Sequence, residues 1–371
     1  MAKSKIEWTE CTWNPIVGCS KVSPGCDNCY AERMAWRLFN MGNRNYEQVV
    51  YQGGWSNTTL GVESALEKPL QWKTPRKIFV CSMSDLFHPS VPFEWIDKVF
   101  AVILANYLLA NLGNSTFQIL TKRAKRMLEY FTHRTPEQHI QAWAKIGNGH
   151  VTMKDEDVLF SEIVHAECYH HWDETGKAKD AYGEWIAVDN LFPLPNVWLG
   201  TTTENQKMVD KRILDLLKCP AAKRFVSVEP MLSGVNLNET RIGQVIGPCG
   251  ECGEYKGACD CCMGIPSLDW VICGGESGSG ARPMDPDWAR GLRDQCADAG
   301  VPFFFKQWGK YFPRDQWEYS PELILPDDNV YETDGRTIIL EGHKPMHPIG
   351  KKKAGCLLDG AEHKEMPEVG K

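Results

Sequence analysis

The sequence lacks the features of a membrane-spanning or secreted protein. It contains no apolar run of about 18 residues, the length that a membrane-spanning helix requires. Its first residues, MAKSKIEWTECTW, lack the apolar stretch of a secretory signal. We therefore expect a cytoplasmic protein with no membrane partner.

The chain also lacks an excess of positive charge. Its 41 Lys and Arg residues are outnumbered by 48 Asp and Glu residues, which gives a formal net charge of -7. A protein that binds nucleic acid or an anionic membrane with its whole surface is more often basic. Any contact with nucleic acid must therefore use a local patch.

Cysteine, by contrast, is abundant, with 15 in a chain of 371 residues. A secreted disulfide scaffold is usually shorter and carries a signal, whereas clustered cysteines in a cytosolic protein favour metal ligation. Two clusters occur, at residues 19–29 and 249–262. We interpret the scattered cysteines as buried small apolar residues or inert thiols; they are Cys81, Cys168, Cys219, Cys273, Cys296 and Cys356.

The first cluster has the spacing C-x6-C-x2-C at Cys19, Cys26 and Cys29, and Pro24-Gly25 predicts a turn inside it. Three thiolates can hold one metal centre, but they are one short of closing a tetrahedral zinc site or of fully ligating a four-iron cluster. The spacing therefore predicts a metal centre with an open coordination position, as a catalytic centre needs. A fourth ligand from Cys11 would close that position, and this alternative stays open.

The second cluster contains two close groups of cysteines and resembles a small zinc knuckle. Cys249, Cys252, Cys259 and Cys262 are the predicted zinc ligands, although Cys261 could replace Cys259. The alternative is a surface loop with five free thiols.

Short apolar runs alternate with amphipathic helical stretches along most of the chain. Strands that alternate with helices imply a parallel sheet with right-handed crossovers. The pattern predicts an α/β fold, a partial barrel of six or seven βα units with a small cysteine-rich insertion. The strand-like runs lie at about 6–19, 77–82, 116–121, 195–201, 223–229, 268–273 and 301–306.

The same pattern predicts how the chain is organised. We expect residues 1–146 to form the N-terminal half of the barrel, with the three-cysteine loop, and residues 147–190 to be a polar insertion. Residues 191–309 form the C-terminal half, with the cysteine-rich insertion at 247–264, and residues 310–371 a C-terminal extension.

Polar residues recur where the predicted strands end, which is where βα-barrels carry their sites. Each of them alone could equally be a turn or helix-cap residue. These residues are Cys19, Ser82, Asp85, Thr121, Lys122, Thr201 to Glu204, Glu229, and Gly274 to Glu276.

Several segments spread over residues 6–309 carry a family likeness, namely TWNPIVGCSKVSPGCDNCYAE, LTKR, NVWLG, SVEP, CGGESG and FFFKQWG. Together they resemble the phage Gp37/Gp68 family of three-cysteine-motif proteins. That family in turn resembles a divergent branch of the radical S-adenosylmethionine (SAM) superfamily. The resemblance implies a [4Fe-4S] cluster on Cys19, Cys26 and Cys29, with SAM on the open iron. Reductive cleavage of SAM would then give a 5′-deoxyadenosyl radical. This cleavage requires an electron donor, such as a flavodoxin-like protein. A further partner protein could be encoded nearby.

The resemblance also implies roles for individual residues. Ser82 and Asp85 stand where the superfamily binds the amino group of SAM, and Thr202 and Glu204 are candidates for the ribose hydroxyls. Gly274, Gly275 and Glu276 would line the adenine or methionine. Lys122, Arg123 and Glu229 could hold substrate. Cys273 could donate a hydrogen atom, unless it is a buried structural cysteine.

A local basic patch is predicted at the start of a helix, from Lys122, Arg123, Lys125 and Arg126. With the 14 tryptophans it is compatible with a nucleic acid or nucleoside substrate, although a solvated helix face would look the same. Three hypotheses follow: a radical SAM enzyme for nucleic-acid modification or repair, a non-catalytic zinc-binding interaction module, or an iron–sulfur redox partner of another protein.

Overall fold

The structure is a computed structural model that describes part of the chain. The described residues are 4, 6–109, 114–151, 159–162, 164, 177–179, 185–187, 191–238, 267–319, 338–339 and 345–368.

The chain divides into two compact units. The first contains Met1–Lys21, Ala31–Gly200 and Cys219–Lys223. The second contains Val22–Tyr30, Thr201–Lys218 and Arg224–Lys371. The three-cysteine motif therefore contributes Cys19 to the first unit and Cys26 and Cys29 to the second.

The main sheet has seven strands. They are β1 (Cys11–Trp13), β6 (Lys77–Val80), β7 (Thr116–Thr121), β10 (Val197–Thr202), β11 (Lys223–Val228), β12 (Trp270–Gly274) and β13 (Phe303–Gln307). Their order in the sheet is β1-β6-β7-β10-β11-β12-β13. The pairs β1–β6, β6–β7, β11–β12 and β12–β13 are parallel.

The spatial order of these strands follows their order in the chain. Such an order is that of singly wound βα folds, whereas a doubly wound sheet reverses direction at a switch point. The predicted α/β class, with a parallel sheet of six or seven strands, is confirmed at this level.

Shorter strands form small sheets outside the main one. They are β2 (Ile16–Val17), β3 (Val50–Tyr51), β4 (Gly54–Trp55), β5 (Leu60–Gly61), β8 (Lys177–Lys179), β9 (Trp185–Ala187), β14 (Phe312–Pro313), β15 (Ile338–Ile339), β16 (Pro345–His347), β17 (Leu357–Leu358) and β18 (Ala361–Glu362).

Helices lie between most consecutive strands of the main sheet, as the predicted alternation of strands and helices requires. Helix α5 (Pro136–Gly147) begins sharply, because Thr135 and Gln138 form a reciprocal capping box and Pro136 occupies the first turn, where its missing N–H costs nothing. The α-helices are α1 (Tyr30–Asn40), α2 (Glu63–Leu66), α3 (Phe93–Leu108), α4 (Ala124–Thr132), α5 (Pro136–Gly147), α6 (Gln206–Lys218), α7 (Pro286–Asp298) and α8 (Lys351–Ala354).

The prediction that the first strand continues to Cys19 is wrong. Strand β1 ends at Trp13, and after Asn14-Pro15 the chain forms β2, which pairs antiparallel with β5. Strand β1 lies at the edge of the main sheet beside β6, and Pro15 has no N–H to donate to β6, so the ladder stops there. Cys19 thus follows a short second strand and not the main-sheet strand.

In the first unit, helices α3, α4 and α5 share a buried polar group within an aromatic core. Asp97 accepts hydrogen bonds from the Tyr130 hydroxyl at 2.7 Å and from the Trp143 indole at 3.3 Å. Arg134 donates to its second oxygen at 2.8 Å. A buried carboxylate is tolerated when it is satisfied in this way.

His139 in the same core makes stability depend on pH. Its ring is fully buried and stacks on Phe192 with 5.6 Å between ring centroids. Burial, helped by the charge of His133, lowers the pKa of His139 to about 4. The unfolded chain takes up this proton near pH 6.5 and the folded chain only near pH 4, so stability is lost as pH falls through that window.

We therefore expect His139→Phe to flatten the loss of stability on acidification. Between pH 6.5 and 5 the variant should lose about 2 kcal/mol less unfolding free energy than the parent, at about 1.4 kcal/mol per pH unit for one proton. Urea unfolding at the two pH values measures this difference. Equal losses for variant and parent would contradict the assignment.

In the second unit, the segment 355–365 packs on β12 and β13. The Trp270 indole donates to the Glu365 carbonyl at 2.9 Å, and the Trp308 indole to the Leu357 carbonyl at 2.8 Å. Asp359 receives Arg290 and Arg293 from α7. Its hydrogen bonds from Arg290 and Gln316 outweigh burial and hold the pKa of Asp359 well below its usual range.

Within the described residues, none of the helices has both the length and the apolar character needed to cross a bilayer.

Candidate metal centre

The segment around the three cysteines is short and tightly turned. Pro24–Cys26 forms one turn of 3₁₀-helix, with the Cys26 amide donating to the Ser23 carbonyl at 2.8 Å. Cys29 directly precedes the first residue of α1. Cys19, Cys26 and Cys29 are free thiols of intermediate exposure, which leaves all three sulfurs available as ligands.

In the first unit, a buried guanidinium is directed at the Cys19 sulfur. Nη1 of Arg123 lies 3.8 Å from Cys19 Sγ, within hydrogen-bond distance for sulfur. Nη2 of Arg123 donates to the carbonyl and hydroxyl of Ser20 at 3.0 and 2.9 Å. Because the Arg123 side chain is only 8% exposed, its charge acts on this sulfur with little screening by water.

Asp85 holds Arg123 in that position. Its Oδ2 accepts from Arg123 Nη1 at 2.8 Å and from the Lys122 amide at 3.1 Å. Its Oδ1 accepts from the Thr121 hydroxyl at 2.7 Å and from the Phe87 amide at 3.0 Å. With four donors on a carboxylate that is 5% exposed, Asp85 is already satisfied by the protein. Its predicted role with the amino group of SAM stays a prediction.

The Cys19 thiol is hard to ionise by itself. Burial and the charge of Asp85 raise its pKa to about 12, against the opposing effect of Arg123. A metal ion that binds a thiol displaces its proton. The arrangement therefore keeps an unligated Cys19 protonated at neutral pH while presenting a cation to the thiolate that ligation would create.

His88 extends this network away from Cys19. Its Nε2 lies 2.7 Å from the Ser20 hydroxyl and its Nδ1 2.7 Å from the Ser90 hydroxyl. Burial, followed by the charge of Arg123, lowers the pKa of His88 to about 4, so the ring is neutral at pH 7. It fixes Ser20, the residue after the first cysteine.

In the second unit, Glu204 anchors the turn before Cys26. Its Oε1 accepts the Gly25 amide at 3.2 Å, and its Oε2 accepts Arg212 Nη1 at 2.9 Å. Arg212 also donates to the Thr202 carbonyl at 2.7 Å. Glu204 is fully buried and Thr202 is 3% exposed, so both predicted ribose contacts lie among protein groups.

Glu276 anchors the residues between Cys26 and Cys29. Its Oε2 accepts Asn28 Nδ2 at 2.9 Å, and its Oε1 accepts Arg282 Nη2 at 2.7 Å. The same Arg282 nitrogen donates to the Pro24 carbonyl at 2.8 Å. Burial raises the pKa of Glu276, but the hydrogen bonds from Arg282 and Asn28 outweigh it, and the pKa is lowered. The carboxylate is therefore ionised and holds the loop.

Glu229 pairs with a lysine at the ends of strands in the same unit. Lys306 Nζ lies 2.9 Å from Glu229 Oε1, and the Ser227 hydroxyl donates to Oε2 at 3.2 Å. Gly274 lies beside this pair, because a Cβ there would be 2.8 Å from Glu229 Oε1. The Glu229 and Lys306 side chains keep 15% and 18% exposure, so this charged pair is reachable from solvent.

Of the two glycines predicted to approach a cofactor, Gly275 is required by the packing of the protein itself. A Cβ at Gly275 would lie 1.9 Å from the Trp308 carbonyl oxygen, which belongs to the backbone and cannot move aside. We expect Gly275→Ala to cost about 3 kcal/mol or more of unfolding free energy. Gly274→Ala should cost less than about 1.5 kcal/mol, because only the end of the Glu229 side chain must shift. Urea unfolding measures both, and equal losses would contradict this account.

The remaining predicted residues have protein partners. The Ser82 hydroxyl donates to Asn14 Oδ1 at 3.1 Å. The Lys122 amide donates to Asp85, and Lys122 itself is half-buried. Cys273 is fully buried with its sulfur 3.6 Å from Met231 Sδ, which fits the interpretation as a structural cysteine. Cys11 is buried in β1 with its sulfur 3.9 Å from the Lys77 carbonyl.

The four basic residues at 122–126 do not form one exposed patch. Arg123 is buried against Asp85, and Arg126 donates to the Val91 carbonyl while lying 4.6 Å from the Phe93 ring. Of the four, Lys125 is exposed. The predicted nucleic-acid contact at this helix start is therefore not supported.

The predicted zinc ligands Cys249, Cys252, Cys259 and Cys262, with Cys261, lie outside the described residues, as does Cys168. Among the residues that are described, no three His, Cys, Asp or Glu side chains are already grouped as metal ligands. Metal ligation at either cluster stays a prediction.

Sequence reasoning missed four residues that the structure connects to these groups. Asn28, Arg212, Arg282 and Lys306 each bond to one of the predicted carboxylates. A signal existed for Lys306, since a lysine inside the apolar run Phe303–Gln307 requires a partner. For the others, the sequence offered no signal that distinguishes them from surface residues.

Comparison with the curated proteins and with the solved structures finds no significant match. The family model described as "Protein of unknown function (DUF5131)" matches residues 3–367, which is nearly the whole chain. The protein belongs to the DUF5131 family.

Proposed function

We propose that the protein is a radical SAM-type enzyme that carries a [4Fe-4S] cluster on Cys19, Cys26 and Cys29. When bound, the cluster would supply an electron for reductive cleavage of SAM, which gives the radical that attacks the substrate. We propose a nucleic acid or nucleoside as that substrate. The resemblance to the phage Gp37/Gp68 family supports this function, and so do contacts of the described residues.

The donor set fits such a cluster. Thiolates are its usual ligands, and three of them leave one iron open. The three sulfurs are free and half-exposed, and they lie within eleven consecutive residues. Cys11 lies in a main-sheet strand with its thiol directed at a carbonyl, which favours three ligands over four.

The observation that carries the proposal is the contact of Arg123 with Cys19. Asp85 neutralises and fixes this guanidinium, and its Nη1 is directed at the Cys19 sulfur as well. A ligating Cys19 thiolate would therefore accept a charge-assisted hydrogen bond from Arg123. Hydrogen bonds to the sulfur ligands are also among the factors that set the reduction potential of iron–sulfur clusters.

The other networks would give the loop its rigidity. Glu204 holds Gly25, and Glu276 with Arg282 holds Asn28 and Pro24, so the segment that carries Cys26 and Cys29 is fixed at three points. Supporting contacts of this kind fix the positions of metal ligands, and a metal site depends on them for its geometry. Glu229, which Lys306 holds in place, is a carboxylate available to contact substrate.

Metal and sulfide analysis after anaerobic purification tests the first step of this function. We expect iron and acid-labile sulfide near four per chain, with a broad absorption near 400 nm that bleaches on reduction. A colourless protein that holds only zinc would overturn the proposal in favour of a zinc-binding interaction module. An iron–sulfur protein whose reduced spectrum is unchanged by SAM would favour a redox partner.

A further inference from the structure

Helix α1, which begins directly after Cys29, exposes its large side chains and buries its small ones. Ala31 and Ala35 are its buried residues. Met34 and Trp36 are 42% and 37% exposed, and Met41, just past the helix end, is 70% exposed. An amphipathic helix normally buries its large apolar side chains, so we expect the exposed face of α1 to contact another molecule.

Arginines stand on the same face. Arg33, Trp36, Arg37 and Asn40 are spaced i, i+3, i+4 and i+7, which places them together on one side of the helix, and all four are exposed. Arg44, in the short helix Arg44–Tyr46 that follows, is exposed as well.

The local charge is positive although the protein as a whole is acidic. Residues 30–46 contain three arginines and one acidic residue, Glu32. Glu32 is engaged elsewhere: its carboxylate pairs with Lys21 at 3.0 Å and accepts the Trp55 amide at 3.1 Å. Its side chain is 14% exposed, so the exposed face of α1 has no carboxylate of its own.

Aromatic surface accompanies the charge. The Trp36 ring stacks on Phe39, with 5.4 Å between centroids and 22° between planes, which gives Trp36 a fixed orientation. Tyr51, on the small hairpin of β3 and β4, is 66% exposed. A rigid exposed indole beside arginines can stack on a base while the guanidinium groups contact phosphates.

We propose that the exposed face of α1 binds a single strand of nucleic acid, with Trp36 stacking on a base and Arg33 and Arg37 contacting phosphates. A single strand fits better than a duplex, because its bases are free to stack on side chains. This inference rests on the proposed function in one respect: only under that function is the bound strand the substrate of the enzyme. Binding itself requires neither the cluster nor SAM.

The test uses the full chain and a fluorescein-labelled single strand of about 12 nucleotides, with anisotropy recorded over a salt series. The double variant R33Q/R37Q should bind more weakly and reduce the slope of log K against log salt by about 1.4, at about 0.7 for each phosphate contact. Trp36→Ala should weaken binding about tenfold and leave that slope unchanged. Lys125→Gln, which removes an exposed lysine of another helix, should change neither quantity.

The same measurements can overturn the inference. Absence of binding at low salt, or equal affinities and slopes for parent, W36A and R33Q/R37Q, would contradict it. Binding of vesicles that contain phosphatidylserine, lost in R33Q/R37Q while oligonucleotide binding is retained, would assign the face to a membrane surface instead. Failure of the proposed function is recognised separately, by the absence of iron and sulfide from a protein that still binds the strand.

Discussion

Cys29→Ala is expected to reduce iron and sulfide to background after anaerobic reconstitution. Two thiolates cannot retain a four-iron cluster against chelators, whereas three can. Because Cys29 is half-exposed and lies outside the sheet, the substitution should leave the unfolding free energy within about 1 kcal/mol of the parent's. Iron, sulfide and the absorption near 400 nm measure the first effect, and urea unfolding measures the second.

Cys356→Ala is the matched control. Cys356 is likewise a cysteine of intermediate exposure, with its sulfur 3.8 Å from Glu362 Oε1, and it lies outside both cysteine clusters. This variant should bind as much iron as the parent. Retention of iron by Cys29→Ala, or equal loss in both variants, would contradict ligation by the three-cysteine motif.

Asp85→Asn is expected to destabilise the first unit by about 3 kcal/mol. The substitution keeps the shape of the side chain but removes the charge that neutralises Arg123, and breaking a buried pair in this way leaves an uncompensated buried charge. It also places an amide nitrogen where one carboxylate oxygen now accepts hydrogen bonds from the protein. Urea unfolding of the protein without added cofactor measures the loss.

Glu63→Gln is the control for this effect. Glu63 pairs with Lys98 at 2.6 Å, but its side chain is 58% exposed, so the same carboxylate-to-amide change should cost less than about 1 kcal/mol. A variant Asp85→Asn that is as stable as the parent and only binds SAM more weakly would contradict this expectation. The Asp85 carboxylate would then bind the amino group of SAM, as the sequence alone predicted.

Long regular patterns allowed much of the fold to be predicted from the sequence. The strand Thr116–Thr121 was predicted with its observed bounds, because an apolar run there is bordered by polar residues on both sides. The first strand was mispredicted, because a β-rich composition from Ile6 to Ile16 concealed the break that Pro15 imposes.

The sequence could place acidic residues near strand ends but could not reveal what they contact. Asp85 and Glu204 follow strands as expected, and Glu276 lies two residues past β12. Each of the three is paired with an arginine: Asp85 with Arg123, Glu204 with Arg212, and Glu276 with Arg282.

Those pairings change the interpretation of the acids. Residues predicted to bind a cofactor also hold the cysteine segments, through Ser20 and Cys19 in the first unit and through Gly25 and Asn28 in the second. Such partners depend on side-chain directions in three dimensions, which neither periodicity nor spacing records. The motifs that carry the family resemblance are thus linked by direct bonds within each unit.

The most direct test of the central claim is a SAM-cleavage assay on the anaerobically reconstituted and reduced protein. We expect 5′-deoxyadenosine from the parent and from Cys356→Ala, and none from Cys29→Ala. No 5′-deoxyadenosine from a parent protein with a full complement of iron and sulfide, in the presence of single-stranded nucleic acid, would contradict radical SAM catalysis.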